Sequence, residues 1–117
     1  MEALENLEVW KRSCRLSVDL YKELNGCQDY GFRDQITRSA LSVPSNIAEG
    51  YERGVGKSRI QFLIIAKGSC GELWTQLLIG RKAGFIGTEA GKRMEQESKE
   101  ISKMLFGLIQ HFQEKQT

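Results

Sequence analysis

Proline and histidine are almost missing from this chain: each occurs once among 117 residues, as Pro44 and His111. With one proline and few strand-type runs, the sequence points away from an all-β protein. A single histidine cannot build a histidine-based metal cluster. Cysteine is also sparse, and Cys14, Cys27 and Cys70 form no Cys-x-x-Cys pair. That odd, scattered set argues against a zinc site and against a disulfide framework, and fits a reducing compartment. Charge of one sign is scarce: 17 Lys and Arg face 15 Asp and Glu, a net +2, too mild to announce a nucleic-acid binder by itself. Long apolar runs are missing too. The longest, Phe62 to Ala66, has five residues, whereas a membrane-spanning helix needs about 20. The opening Met-Glu-Ala-Leu-Glu-Asn lacks both the basic and the apolar region of a signal peptide. A cytoplasmic protein with no membrane partner is the expectation.

What remains is ordinary globular material, 40% hydrophobic and 27% charged, long enough for one self-sufficient core. We expect one domain over residues 1–117, with four helical segments separated by glycine-bearing breaks. In the first, about Leu7 to Leu24, residues Leu7, Trp10, Cys14, Tyr21 and Leu24 recur at helical spacing, with Asn6 as candidate N-cap and Asn25-Gly26 as the stop. In the second, about Phe32 to Tyr51, residues Phe32, Ile36, Ala40, Val43, Ile47 and Tyr51 step by 4, 4, 3, 4 and 4. Pro44 interrupts this stripe and removes a hydrogen bond to the Ala40 carbonyl. Two short helices or one kinked helix would fit. The stripe keeps phase across Pro44, which favours the kink, with Ser39, Ser42 and Ser45 available to satisfy freed backbone groups.

The third segment, about Arg59 to Ala83, opens on a capping-box pattern, Ser58-Arg59-Ile60-Gln61. It is apolar on two faces, one with Ile60, Leu63, Ile64, Cys70, Trp74 and Leu77, the other with Phe62, Ile65, Ser69 and Leu73. Two apolar faces imply a second burial partner, another helix or another subunit. The small residues Ala66, Gly68, Ser69, Cys70 and Gly71 would let a neighbouring backbone approach closely. The fourth, about Thr88 to Gln113, has Thr88 as candidate cap and a stripe of Met94, Ile101, Leu105, Leu108 and Phe112. Short connections make neighbouring helices antiparallel. The predicted fold is all-α, an up-down antiparallel four-helix bundle whose second helix is kinked at a proline.

No catalytic or cofactor-binding constellation emerges. Gly54-Val55-Gly56-Lys57-Ser58 imitates a phosphate loop, but Tyr51 stands where the pattern needs glycine, and a helix rather than a strand precedes it. Glu49, Glu52 and Glu72 lack the histidine partners of a di-iron bundle site, so ion pairs or capping are the plainer roles. Cys70 reads as a small core residue rather than a nucleophile, and His111 as solvent-facing. Charge is distributed unevenly, however. Residues 32–60 and 61–87 each carry a surplus of two positive charges, against a deficit of two over residues 1–31. The middle helices thus hold Arg33, Arg38, Arg53, Lys57, Arg59, Lys67, Arg81 and Lys82. These are either ordinary solvated cations or a nucleic-acid surface, since phosphate binding needs cations gathered together.

The stretch Gln35-Ile36-Thr37-Arg38-Ser39-Ala40-Leu41-Ser42-Val43-Pro44-Ser45-Asn46-Ile47-Ala48-Glu49-Gly50 closely resembles the signature of the 23S rRNA intervening-sequence proteins. Leu7-Glu8-Val9-Trp10, and Ala66-Lys67-Gly68-Ser69-Cys70-Gly71-Glu72-Leu73 followed by Gln76-Leu77, resemble other parts of the same family. The resemblance implies a four-helix bundle assembled into a ring-like homopentamer, and gives no firm biochemical activity. A related branch, the accessory variability determinant of diversity-generating retroelements, binds nucleic acid and a reverse transcriptase. Pro44, Ser45, Asn46, Glu49, Gly50 and Ser69 match the motif and read as structural or interfacial, with Arg38 and Lys67 as its testable cations. The leading expectation is a non-enzymatic homo-oligomer that binds RNA or DNA weakly through the phosphate backbone, with low sequence specificity. The rival is an assembly scaffold that binds another protein, such as a reverse transcriptase, through exposed helix faces. An enzyme ranks third, and no metal or cofactor is expected.

Overall fold

The computed structural model describes residues 3–115; the predicted domain ends, residues 1 and 117, lie outside them. After a 3-10 turn at Leu4–Asn6, four helices follow: α1 (Glu8–Glu23), α2 (Tyr30–Glu52), α3 (Lys57–Lys82) and α4 (Thr88–Lys115). Contacts between helices run in opposite sequence directions. On the α2–α3 seam Ser42 meets Ser69, while Gly50 lies against Arg59 and Gly80 against Phe32. On the α3–α4 seam Cys70 meets Ser98, and Arg81 meets Glu95. α1 packs on α2 and α4 and closes the ring, giving the expected antiparallel bundle, 47 × 22 × 19 Å.

The α2 stripe is buried as its spacing predicts, through Ile36, Ala40, Val43 and Ile47. The α1 stripe is not. Leu7 and Leu24 are buried, but Tyr21 is exposed and Trp10 and Cys14 are only half-buried; the face that enters the core carries Val9, Ser13, Leu16, Ser17 and Leu20. Two serines on the inner face disguised it. Ser13 Oγ donates to Trp10 O at 2.8 Å, and the single Ser17 hydroxyl hydrogen is shared between Ser13 O at 3.0 Å on its own helix and a carbonyl of α2, Ala40 O, at 3.2 Å, so neither leaves a buried polar group unpaired.

Three expected caps are replaced. Asn6 belongs to the 3-10 turn, and Leu7 occupies the α1 N-cap without a side-chain bond. Ser58 lies inside α3, whose N-cap is Gly56 at φ 99°. With Gly54 at φ 88°, the α2–α3 turn uses two residues in a region that only glycine enters cheaply, and this conformational need explains the glycines that imitated a phosphate loop. Thr88 opens α4, and the Gly87 carbonyl takes the first backbone bond from Gly91 N at 2.8 Å. A cap the spacing did not indicate is Asp29, whose side chain accepts from Phe32 N at 3.1 Å.

α2 is continuous through Pro44, which settles the choice between one helix and two. The carbonyl that Pro44 leaves without its helical donor, Ala40 O, accepts instead from Ser17 Oγ of α1 at 3.2 Å. None of the three predicted α2 serines does this: Ser39 Oγ donates to Gln35 O, and Ser42 Oγ pairs with Ser69 and Asn46. Ser17→Ala should therefore cost about 1–2 kcal/mol by stranding a buried carbonyl. In a Pro44→Ala background, where residue 44 again donates to Ala40, the same change should cost clearly less. Urea unfolding of the four proteins of this cycle measures the difference, and equal costs in both backgrounds would refute the link.

Candidate nucleic-acid interface

Eight cations of the middle helices are the candidates for a phosphate-binding surface, and the structure divides them. Arg59 is only 3% exposed. Its guanidinium lies over the Tyr51 ring at 4.2 Å and the Phe112 ring at 5.0 Å, and its Nε donates to Gly50 O at 3.4 Å. Gly50 O is one of the last carbonyls of α2, which have no donor within their own helix. A cation at that end also interacts favourably with the negative end of the helix dipole. Arg59 thus ties the end of α2 to α4 and takes no part in a surface. Arg81 is held by Glu95 through two bonds, Nε to Oε2 at 2.6 Å and Nη2 to Oε1 at 3.2 Å. Arg53 pairs with Glu49 at 2.9 Å and lies over Phe62.

Arg33, Arg38, Lys57, Lys67 and Lys82 make no ion pair among the described residues. They are spread along the bundle. Arg33 and Lys82 stand at the end bearing the α1–α2 and α3–α4 connections, Lys57 at the opposite end, and Arg38 and Lys67 between; the Lys67 ammonium lies 6.0 Å from the Phe106 ring.

The motif residues divide as well. Pro44 and Gly50 are buried, and a Cβ on Gly50 would stand 3.1 Å from Arg59 O. Ser69 Oγ lies 2.8 Å from Ser42 Oγ, which also accepts from Asn46 Nδ2 at 3.0 Å, so these three form a polar bridge between α2 and α3. Ser45 and Glu49 face outward.

The two apolar faces expected on α3 are redistributed. Ser69 and Leu73, assigned to the second face, are buried in the bundle with Leu63, Ala66, Cys70 and Leu77. Ile64, assigned to the first, is exposed with Ile65, and Leu41 of α2 and Phe106 of α4 are exposed as well. Gly68 and Gly71 border open space. The small-residue cluster is therefore used on both sides: Ala66, Ser69 and Cys70 inward, the two glycines outward. By length and composition α3 would also suffice to cross a membrane, with a window of mean hydropathy 1.2. Reading run length alone missed this, because glycine, serine and threonine dilute the apolar residues without raising the charge.

Among the described residues no three His, Cys, Asp or Glu side chains gather to hold a metal ion. Burial pushes the Cys70 thiol up to about 12, so it is no thiolate near neutral pH. Glu97 is held below the usual carboxylate range by its hydrogen bond from Arg12, an ion pair that ties α1 to α4. The clefts on the surface include one of about 410 Å³ lined by Tyr21, Lys22, Asn25 and Arg33, which the sequence reading did not find because it placed Tyr21 in the core.

No curated protein matches the chain. Among solved structures it is similar to a protein of unknown function from the S23 ribosomal protein family of Bacteroides thetaiotaomicron, with 28% identity, a TM-score of 0.80, and coverage of 86% of this chain and 97% of that one. The family model described as 23S rRNA-intervening sequence protein matches residues 5–107. With a match over nearly the whole bundle, the chain belongs to the 23S rRNA-intervening sequence protein family.

Proposed function

We propose that this chain is a non-enzymatic, cytoplasmic homo-oligomer, a pentameric ring as its family resemblance implies, that binds nucleic acid weakly through phosphate contacts. The observation that carries the nucleic-acid part is the group of cations on α2 and α3 without carboxylate partners among the described residues, Arg33, Arg38, Lys57, Lys67 and Lys82. In one subunit they are too dispersed for a strong site, and a ring repeats them around a larger body. The exposed face of Ile64, Ile65, Gly68 and Gly71 supports assembly, since apolar side chains beside open glycines allow a second helix to approach closely. The same face favours the second reading, a scaffold for another protein.

Light scattering and fluorescence anisotropy with a mixed-sequence single-stranded RNA 12-mer test both parts. The expected particle is about five times the 13.3 kDa chain mass. Its RNA affinity should fall at least tenfold between about 50 and 200 mM salt as counterion release is suppressed. A 13.3 kDa particle overturns the assembly. An assembled particle that ignores RNA at low salt overturns nucleic-acid binding and leaves the scaffold.

A further inference from the structure

We infer that the cleft between the end of α1 and the start of α2 holds one nucleotide of a single-stranded nucleic acid, with the base on Tyr21 and the phosphate between Lys22 and Arg33. This rests on the nucleic-acid reading above and gives it a place.

The cleft holds about 410 Å³ and is lined by Tyr21, Lys22, Asn25 and Arg33. Its two cations come from different helices, and neither forms an ion pair among the described residues. No carboxylate is among the lining residues, and two of those near it in sequence are engaged elsewhere: Asp29 caps α2 and Asp19 faces Arg93 at 3.9 Å. Two cations that fold into one cleft whose lining holds no carboxylate suit an external anion.

The aromatic component makes that anion a nucleotide rather than free phosphate. Tyr21 is exposed in the cleft, and Tyr30, also exposed, lies one helical turn before Arg33 on the same side of α2. Exposed aromatic rings beside cations are the arrangement that binds single strands: every base offers a face for stacking, so affinity comes without sequence preference. Asn25 adds an amide able both to donate and to accept toward a base edge or sugar. A duplex, whose bases are already stacked on each other, cannot use the tyrosine.

The test is anisotropy of the full-length protein with fluorescein-labelled single-stranded RNA and its duplex, at low and moderate salt. Lys22→Gln/Arg33→Gln should weaken single-strand binding at least tenfold and flatten its log–log salt dependence by a slope of about 0.7, the loss of one phosphate contact. Tyr21→Ala should weaken it about tenfold, with Tyr21→Phe restoring it. Lys57→Gln/Lys67→Gln, which removes two unpaired cations outside the cleft, should have a smaller effect. Circular dichroism on each variant confirms the fold. If the wild type binds and the cleft variants bind equally well, the cleft is overturned while the general reading stands. If Tyr21→Ala alone is without effect, or duplex binds as well as single strand, the stacking assignment is overturned. If the wild type binds no RNA at all, both readings fall together.

Discussion

Arg59→Leu should lower the unfolding free energy by about 3 kcal/mol, because it removes a desolvated cation from two aromatic faces and strips a terminal carbonyl of α2 of its donor. For a domain of this size that corresponds to a fall of roughly 10 °C in the melting temperature. Arg59→Lys keeps the charge but not the planar group that lies over Tyr51 and Phe112 at once, so it should fall between the two. RNA affinity, measured well below the melting temperature, should not change, since the guanidinium is buried. A normal melting temperature with reduced RNA affinity would return Arg59 to the surface set.

A comparable loss is expected from Leu63→Ala, about 3 kcal/mol, because Leu63 is fully buried where α3 meets the rest of the bundle. Its urea midpoint should move with little change in slope. The neighbouring contrast is Ile65→Glu. Ile65 is 41% exposed on the outer side of the same helix, so the charge has water to face in an isolated subunit and should scarcely disturb the fold. In an assembly built on this face it should bury an unpaired carboxylate, and the mass should drop toward the 13.3 kDa chain. Leu63→Ala should show the reverse, weaker folding with assembly retained. An Ile65→Glu particle of unchanged mass would place the subunit contact elsewhere.

The fold was legible where apolar residues alone mark the buried side. The α2 stripe is such a case, and Met94, Ile101 and Leu105 of α4 are another. It was illegible where small polar residues serve the interior. Ser13 and Ser17 in α1, and Ser98 in α4, whose hydroxyl donates to Cys70 O at 3.1 Å, look like surface residues in a sequence, and their partners are backbone carbonyls that no residue pattern displays. Two caps differ for a related reason: Ser58 and Thr88 have capping chemistry, but both fall inside their helices and glycines precede them. Among the cations, charge could be counted from the sequence, but partners could not. Glu95 lies in α4, 14 residues beyond Arg81, and Tyr51 and Phe112 come from two separate helices, so the withdrawal of Arg81 and Arg59 from the surface is a tertiary event. The cleft at Tyr21 was hidden by the same one-face error that misassigned α1.

The bond from Ser17 to Ala40 makes Pro44 a property of two helices rather than one. A proline in the middle of α2 is tolerated because a hydroxyl arrives from α1 at the one carbonyl it strands. Inheritance of the two positions is therefore tied. A lineage that loses the hydroxyl before the proline passes through a chain with an orphaned carbonyl in its core, whereas one that loses the proline first does not. Across relatives the order of change should be directional, and in this chain the motif in α2 is completed by a residue that lies well outside it.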